Sequence, residues 1–553
     1  MIETPPADSA AATPQPPAEA APGSGGDTIR DLLRRSVRRS PTAVALRFED
    51  RTWTYSELES AVHRTAHRLS AAGIRPGDRV ASFGANSDAF VVLFLACTSM
   101  GAVHVPVNFA LKGEELRHIL RDSGAGLVVA DPALLELADD AAADLTRERS
   151  GDPLSVWPML PVDGRAEASV LETSADDQGD DSAPSIELTS EDLAQLLYTS
   201  GTTSAPKGAM MSHRALVAEY LSAIIALDFT ADDRPLIAMP LYHSAALHVF
   251  LMPYLALGAP IRLIAKPEIP VMLELVEREH LSSLFLAPTV WVPLSSHPEL
   301  ETRDLSSLTK AQYGASIMPS TVLQRLRDRF PKLGFYNCFG QSELGPLCTV
   351  LRPEEHDMRP RSCGRPVFHV EARVMSADGS PARAGEPGEI QYRSPQLMSG
   401  YWGRPEQTAD SFVDGWFRSG DQVTRDSMGF IEVVDRIKDV INTGGVLVAP
   451  REIEDCLYRL PEVAEVAVLG VPDERWGEAI TAVIVVHPGQ ELTAETVRQH
   501  ARERLADFKV PKRVEFVAEL PRNQSGKLLK RELRAERTDT EAGTAQAPAE
   551  GGR

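Results

Sequence analysis

The stretch 198-YTSGTTSAPKGAMMSH-213 decides how the rest of this chain is read. Hydroxyls and glycines stand ahead of a lysine, which is the composition of a loop that cradles phosphate. Gly201 lets the backbone approach an anion, while Thr199, Ser200, Thr202, Thr203 and Lys207 supply hydrogen-bond donors or charge. It is not a Walker A loop, which has glycine before the lysine and a hydroxyl after it. Here Pro206 precedes Lys207 and Gly208 follows. The apolar run 193–199 reads as a strand and 215–225 as a helix, so the expected order is strand, anion loop, helix. Taken alone, so short a motif also fits a plain surface loop.

Outward from this stretch, helical and strand patterns alternate. YSELESAVHRTAHRLSAAG (55–73) has helical periodicity and ends in glycine; DRVASFG (78–84) reads as a strand, FVVLFLACTSMG (90–101) as a buried helix, and AGLVVAD (125–131) as the next strand. That alternation predicts a layered α/β domain with parallel strands. The segment 135–185, rich in Asp, Ala and Pro, reads as a long surface excursion. Beyond about 435 the pattern changes: VAEVAVLGV (463–471) and ITAVIVVH (480–487) as strands, 493–508 as a helix, and VEFVAEL (514–520) as a further strand. The expectation is therefore a large domain over 28–434 and a small α+β lid over 435–536, with an active site where they meet. The Ala/Pro/Gly-rich ends, 1–27 and 537–553, read as disordered.

The formal charge of −21 over 553 residues argues against nucleic acid as a partner, yet leaves room for an anionic cofactor in a local basic patch. Five scattered cysteines form no C-x-x-C pair, so neither a zinc site nor a disulfide framework is indicated. No apolar run approaches the roughly 18 residues of a membrane helix. The N-terminus has neither the basic nor the apolar region of a signal peptide. These features read as a cytoplasmic protein without an integral membrane segment.

The loop resembles the phosphate loop of the adenylate-forming superfamily, which contains the AMP-dependent acyl-CoA synthetases, with Ser204 where a glycine is usual. Further blocks follow in that family's order and extend the resemblance over about 30–535: PLYHSAALH (240–248), QYGASIMP (312–319), YNCFGQSE (336–343), FRSGD (417–421), DRIKDVINTGG (435–445) and PRNQSGK (521–527). The resemblance implies layered α/β subdomains with a small β-barrel, followed by a mobile α+β C-terminal domain. It also implies ATP and Mg²⁺ as requirements and CoA as co-substrate.

The chemistry that the family performs explains the residue types. A carboxylate is a poor electrophile; ATP converts it to a mixed anhydride, acyl-AMP, with pyrophosphate leaving. Negative charge gathers at the α-phosphorus in the transition state, so cations and donors aimed there supply much of the catalysis. By resemblance, Lys527 is the central cation, reaching both the carboxylate and the α-phosphate. Residues 199–203 and Lys207 hold the β- and γ-phosphates, and Glu343 and Thr199 are the metal ligands. Gly314, Ala315, Ser316, Asn337, Phe339, Gly340 and Ser342 surround the nucleotide, with Phe339 in place of the usual tyrosine and Ser342 in place of threonine. Asp421 accepts from the ribose hydroxyls and Arg436 contacts ribose or phosphate. Lys438 is the pivot of the lid, and Gly444 and Gly445 let the pantetheine arm pass.

His243 speaks to the acid. Family members that activate α-amino acids carry an aspartate there for the substrate ammonium, whereas His243 stands among Ser244, Ala245, Ala246 and Leu247. The expected acid therefore lacks an amine, with His243 near its carboxylate or gating its tunnel and a purely structural histidine as the competing reading. Ala287, Trp291 and Tyr313 are expected along its pocket, with Gly314 leaving room for its chain. The leading expectation is a medium- or long-chain fatty acid–CoA ligase. An aryl-acid CoA ligase and a ligase loading an acyl-carrier protein remain open. A nucleotide-binding regulator without activity is the reading from another class, and the set Lys527, Glu343 and Asp421 speaks against it.

Overall fold

The structure, a computed structural model, describes residues 27–148, 154–162, 169–171, 179–199, 206–316, 318–437, 439–443, 446–473, 475–522, 528–530 and 532–537. Among the expected site residues, Ser200, Gly201, Thr202, Thr203, Lys438, Gly444, Gly445 and Lys527 lie outside these, as do residues 1–26 and 538–553 of the two ends read as disordered.

Helix Asp88–Met100 organises the large body. All thirteen of its residues are buried, and it packs against Val44–Phe48 on one side and Arg79–Phe83, Val103–Val107 and Leu193–Thr199 on the other. A helix apolar all round has to be enclosed by protein. Here two sheets enclose it, and each fully buried Leu or Phe contributes roughly 2 kcal/mol. Its start is fixed by the Ser87 hydroxyl, which accepts from Phe90 N at 3.1 Å. Asp88 is fully buried and takes both an Arg51 fork at 2.6 Å and the Trp53 indole N–H at 2.9 Å. Helix Tyr55–Ala71 lies beside it, begun by a capping box between Thr54 and Glu57, with Leu58, Ala61, Val62, Ala66 and Leu69 turned inward.

One sheet has six strands in the spatial order Ser155–Pro158, Leu127–Ala130, Arg79–Phe83, Val103–Val107, Leu193–Thr199, Lys207–Ser212, all parallel but for the last pair. The other has nine, with six parallel strands (Gly334–Gly340, Lys310–Gly314, Ser283–Leu286, Pro235–Ile237, Ile261–Leu263, Val44–Phe48) flanked by antiparallel edges. Layered α/β with parallel strands is thus the observed architecture. The small β unit is a five-stranded antiparallel sheet built from Glu371–Met375, Gly388–Arg393, Phe412–Val413, Trp416–Arg425 and Ile431–Arg436. The C-terminal part has its own core around Ile441, Ile453, Leu457 and Ile480. In it, Val463–Asp473 and Gly477–Val486 pair antiparallel, and Arg513–Phe516 joins in parallel.

Two local expectations are corrected. Part of 135–185 is regular: helix Leu135–Glu148 buries Ala138, Ala141, Ala142 and Leu145, and Ser155–Pro158 forms the sheet edge. A stripe made mostly of alanine between aspartates has little hydrophobic contrast, so its period is hard to read. The second correction concerns the opening stretch. Lys207–Ser212 is a strand, paired antiparallel with Leu193–Thr199 so that Thr199 faces Lys207. The helix starts only at His213, where the Ser212 hydroxyl caps it by accepting from Ala215 N at 3.2 Å. The loop therefore joins two strands, and no helix N-terminus follows it directly to supply a dipole.

Candidate active site

The C-terminal ends of parallel strands from both sheets meet at one place, as open α/β sheets arrange their ligand crevices. From the six-stranded sheet comes the hairpin ending in Thr199 and Lys207. From the nine-stranded sheet come Gly314 and Gly340, at the ends of neighbouring strands. The turn Ser342–Leu344 packs against both hairpin strands. The Ser342 hydroxyl lies 3.0 Å from that of Ser244, so the block carrying His243 is brought to the block carrying Glu343.

Tyr401 joins the parts. Its hydroxyl donates to Glu343 Oε1 at 3.0 Å, and its ring centroid lies 5.3 Å from Lys207 Nζ. Residues 398–402 run along the outer hairpin strand: Trp402 N donates to Gly208 O at 2.8 Å and Met210 N to Gly400 O at 2.9 Å. Met398 N donates to Glu343 O at 2.9 Å, which fixes the Glu343 backbone to the same segment. Burial, and then the Glu343 charge, push the Tyr401 phenol well above its ordinary range, so it stays a donor at working pH. At the hairpin stem, the Tyr198 hydroxyl donates to Asp122 at 2.8 Å and Arg404 pairs with the same carboxylate.

The residues expected around a nucleotide are placed by strand contacts. A Cβ at Gly314 would stand 2.2 Å from Cys338 O, and one at Gly340 would stand 1.8 Å from Pro346 O. Gly314 is thus required by its neighbouring strand, which corrects the expectation that its missing side chain makes room for an acyl chain. Ala315 follows in the left-handed region at φ 64°, a turn that re-aims the chain toward half-buried Ser316. Asn337 donates to Ser362 O at 3.2 Å, and half-buried Phe339 packs on the main core. Asp421 is 3 % exposed and pairs with Arg436 at 2.7 Å across adjacent strands. The Arg436 charge is also close enough to act on Tyr401. Next to Arg436, Asp435 accepts from Arg451 N at 3.3 Å, tying this strand to the C-terminal part.

These residues suit a nucleoside triphosphate with a divalent cation. Glu343 Oε1 is taken by Tyr401, and no donor among the described residues reaches Oε2, which leaves one carboxylate oxygen for a cation. Among the described residues no group of three His, Cys, Asp or Glu could hold a metal, and a magnesium ion commonly takes one or two protein oxygens together with phosphate oxygens.

His243, expected beside the acid, is half-buried, its backbone N–H donating to Pro240 O at 3.1 Å. A π-helix, Ala245–Leu251, begins two residues later, an irregularity that often marks a functional site. Trp291 and Tyr313 belong to the second core rather than to an open wall: the indole N–H donates to Gln312 O at 3.1 Å, and the Tyr313 hydroxyl lies 3.0 Å from His356 Nε2. Ala287 is buried as well.

Sequence reasoning missed a buried polar line behind the site. Tyr220 donates to His248 Nδ1 at 2.9 Å, His248 Nε2 to the Gln195 oxygen at 2.6 Å, and the Gln195 amide to His104 Nδ1 at 2.9 Å. It links the π-helix to the strand that carries Thr199. Burial holds His104 and His248 neutral, at about 3, and His213 at about 4. Unfolded imidazoles take up protons below their ordinary 6.5, so this stability is present above 6.5 and is lost as pH falls toward 4. Burial raises the Glu219 carboxyl, which acts in the opposite sense above its ordinary value. His213→Gln, whose side chain can still accept from Ile29 N, is expected to be the less acid-sensitive protein. Between pH 6.5 and 5 wild type should lose about 2 kcal/mol more than the variant in urea unfolding, and equal losses would contradict it.

A profile of the AMP-binding enzyme family matches residues 33–402, and one of the AMP-binding enzyme C-terminal domain matches 452–527. The feruloyl-CoA synthase of Amycolatopsis sp. is 39 % identical over 501 residues, 90 % of this chain and 97 % of that protein. The indoleacetate–CoA ligase of Aromatoleum aromaticum is 33 % identical over 509 residues, 92 % of this chain and 97 % of that protein. Among solved structures, the ATP-bound MatB of Rhodopseudomonas palustris superposes with a TM-score of 0.84 at 31 % identity, covering 93 % of this chain and 99 % of that one. Among the described residues, no helix is long and apolar enough to cross a membrane.

Proposed function

The chain belongs to the AMP-binding enzyme family and is an ATP-dependent, AMP-forming acid–thiol ligase acting with CoA, and from that premise we propose that its acid is an aromatic one of the hydroxycinnamate kind. The observation that carries this choice is the 39 % identity, over nearly the whole chain, with a feruloyl-CoA synthase. The absence of any carboxylate in 243–247 agrees with an acid that carries no amine. A fatty acid, the acid expected above, is the rival.

In this reading the acid carboxylate attacks the α-phosphorus, the bond to the pyrophosphate oxygen breaks, and the CoA thiol then displaces AMP from the acyl carbon. The hairpin loop with Lys207 holds the departing phosphates. Glu343 and Thr199 would hold Mg²⁺, which would supply charge neutralisation for the phosphates. Asp421, oriented by Arg436, accepts from the ribose; Phe339 stacks on adenine beside Gly314, Ala315, Ser316, Asn337 and Gly340; His243 faces the acid carboxylate. Lys527 is the central cation, and the lid, taken as 435–536, turns about Lys438 and exposes Gly444 and Gly445 to the pantetheine arm.

The test is a panel of kcat/KM values for acyl-CoA formation from ferulate, cinnamate, benzoate, octanoate and palmitate. Ferulate or cinnamate is expected to exceed palmitate by at least about tenfold. The reverse order would overturn the choice of acid and leave the ligase reading standing. Acyl-AMP that accumulates while CoA stays unconsumed would move the acceptor to a carrier protein.

A further inference from the structure

We propose that Tyr401 is a positioning residue for adenylation, holding the Glu343 carboxylate and the Lys207 ammonium in register with each other; this rests on the roles given above to those two residues. Two contacts converge on its side chain and two more hold its backbone. The phenol O–H donates to Glu343 Oε1 at 3.0 Å, and the ring face receives Lys207 Nζ at 5.3 Å from its centroid. The Tyr401 backbone N–H is itself held by Thr408 Oγ1 at 2.9 Å, and Ala209 forms a bridge with Tyr401 on the hairpin.

This arrangement has chemical consequences. A carboxylate on a short 3-10 turn can rotate, and a cation ligand that rotates binds poorly. With Oε1 fixed by the phenol, Oε2 is presented in one direction. The phenol also removes one acceptor site from Glu343 without adding charge, so the carboxylate keeps its full attraction for a dication. Lys207 gains a resting place on the ring face from which a triphosphate can draw it, because a cation–π contact is weaker than an ion pair with phosphate. Since Met398 N also fixes the Glu343 carbonyl, segment 398–402 sets both the backbone and the side chain of Glu343. The device therefore lies in a stretch distant in sequence from both residues it serves.

Tyr401→Phe keeps the ring and removes the hydroxyl, and Tyr401→Leu removes both. The readout is the Mg²⁺ dependence of acid-dependent pyrophosphate exchange at saturating ATP, beside thermal midpoints and thioester formation from supplied acyl-AMP. Tyr401→Phe is expected to raise the Mg²⁺ concentration for half-maximal rate by about five- to tenfold, with the midpoint and the thioester step unchanged. Tyr401→Leu is expected to raise KM for ATP as well. An unchanged Mg²⁺ dependence in Tyr401→Phe, or equal losses in both half-reactions, would overturn the proposal. Glu343→Gln separates the two levels: if it too leaves the Mg²⁺ dependence at the wild-type value, the role given to Glu343 fails. If Glu343→Gln shifts it and Tyr401→Phe does not, only the positioning role falls.

Discussion

Replacing Lys527 by alanine is expected to lower acyl-AMP formation by about a thousandfold while thioester formation from supplied acyl-AMP stays within about threefold of wild type. The asymmetry follows from where charge develops. In the first half-reaction a carboxylate and a triphosphate, both anionic, approach one phosphorus atom. A single ammonium touching both reactants lowers that repulsion and gains strength as the transition state forms. In the second half-reaction a thiol attacks a neutral acyl carbon and AMP leaves, so the same ammonium has no comparable task. Pyrophosphate exchange reads the first step, and single-turnover mixing of enzyme, acyl-AMP and CoA reads the second. Equal loss in both would remove Lys527 from the role assigned to it.

Gly340→Ala is expected to cost about a hundredfold in adenylation, through backbone rather than through any lost side chain. The new Cβ would sit 1.8 Å from Pro346 O and 2.9 Å from Cys348 N, so backbone must move. The atoms that would move close the turn on which the site is built: Gln341 N donates to Pro346 O at 3.0 Å, and Ser342 and Glu343 lie between them. A shift of about an ångström there separates Glu343 from Tyr401 and Ser342 from Ser244 together. Gly126→Ala is the control, because its Cβ meets nothing within 4 Å and its φ is ordinary. That variant should keep wild-type activity and midpoint. A Gly340→Ala enzyme as active as the control would mean that the turn does not hold the site.

Much of the fold is legible in sequence because it rests on strong periods. The readings 55–73 and 90–101 match the helices Tyr55–Ala71 and Asp88–Met100 to within two residues at each end, since a helical period in the first and a long apolar run closed by glycine in the second point to helix. The C-terminal strands are legible for the same reason. Lys207–Ser212 is not, because KGAMMS mixes small residues in which strand alternation is faint, and a strand is revealed only by its partner 193–199. The site is legible as a set of blocks, and Thr199 opposite Lys207, Ser244 against Ser342, and Asp421 on Arg436 bring those blocks into contact. What sequence does not carry is which side chain links them. Tyr401, Asp122 and Arg404 act through tertiary contacts with residues far away in the chain, and no local pattern announces them.

The chain, an AMP-forming acid–thiol ligase, makes a thioester from an acid at the expense of ATP cleaved to AMP. The most direct measurement follows all the products of one reaction of ferulate, ATP, Mg²⁺ and CoA with the full-length protein, by phosphorus NMR and mass spectrometry. AMP, pyrophosphate and feruloyl-CoA are expected to rise together in equal amounts, with none formed when the acid is omitted. ADP and phosphate in place of AMP and pyrophosphate, or ATP left intact with every acid of the panel, would contradict it.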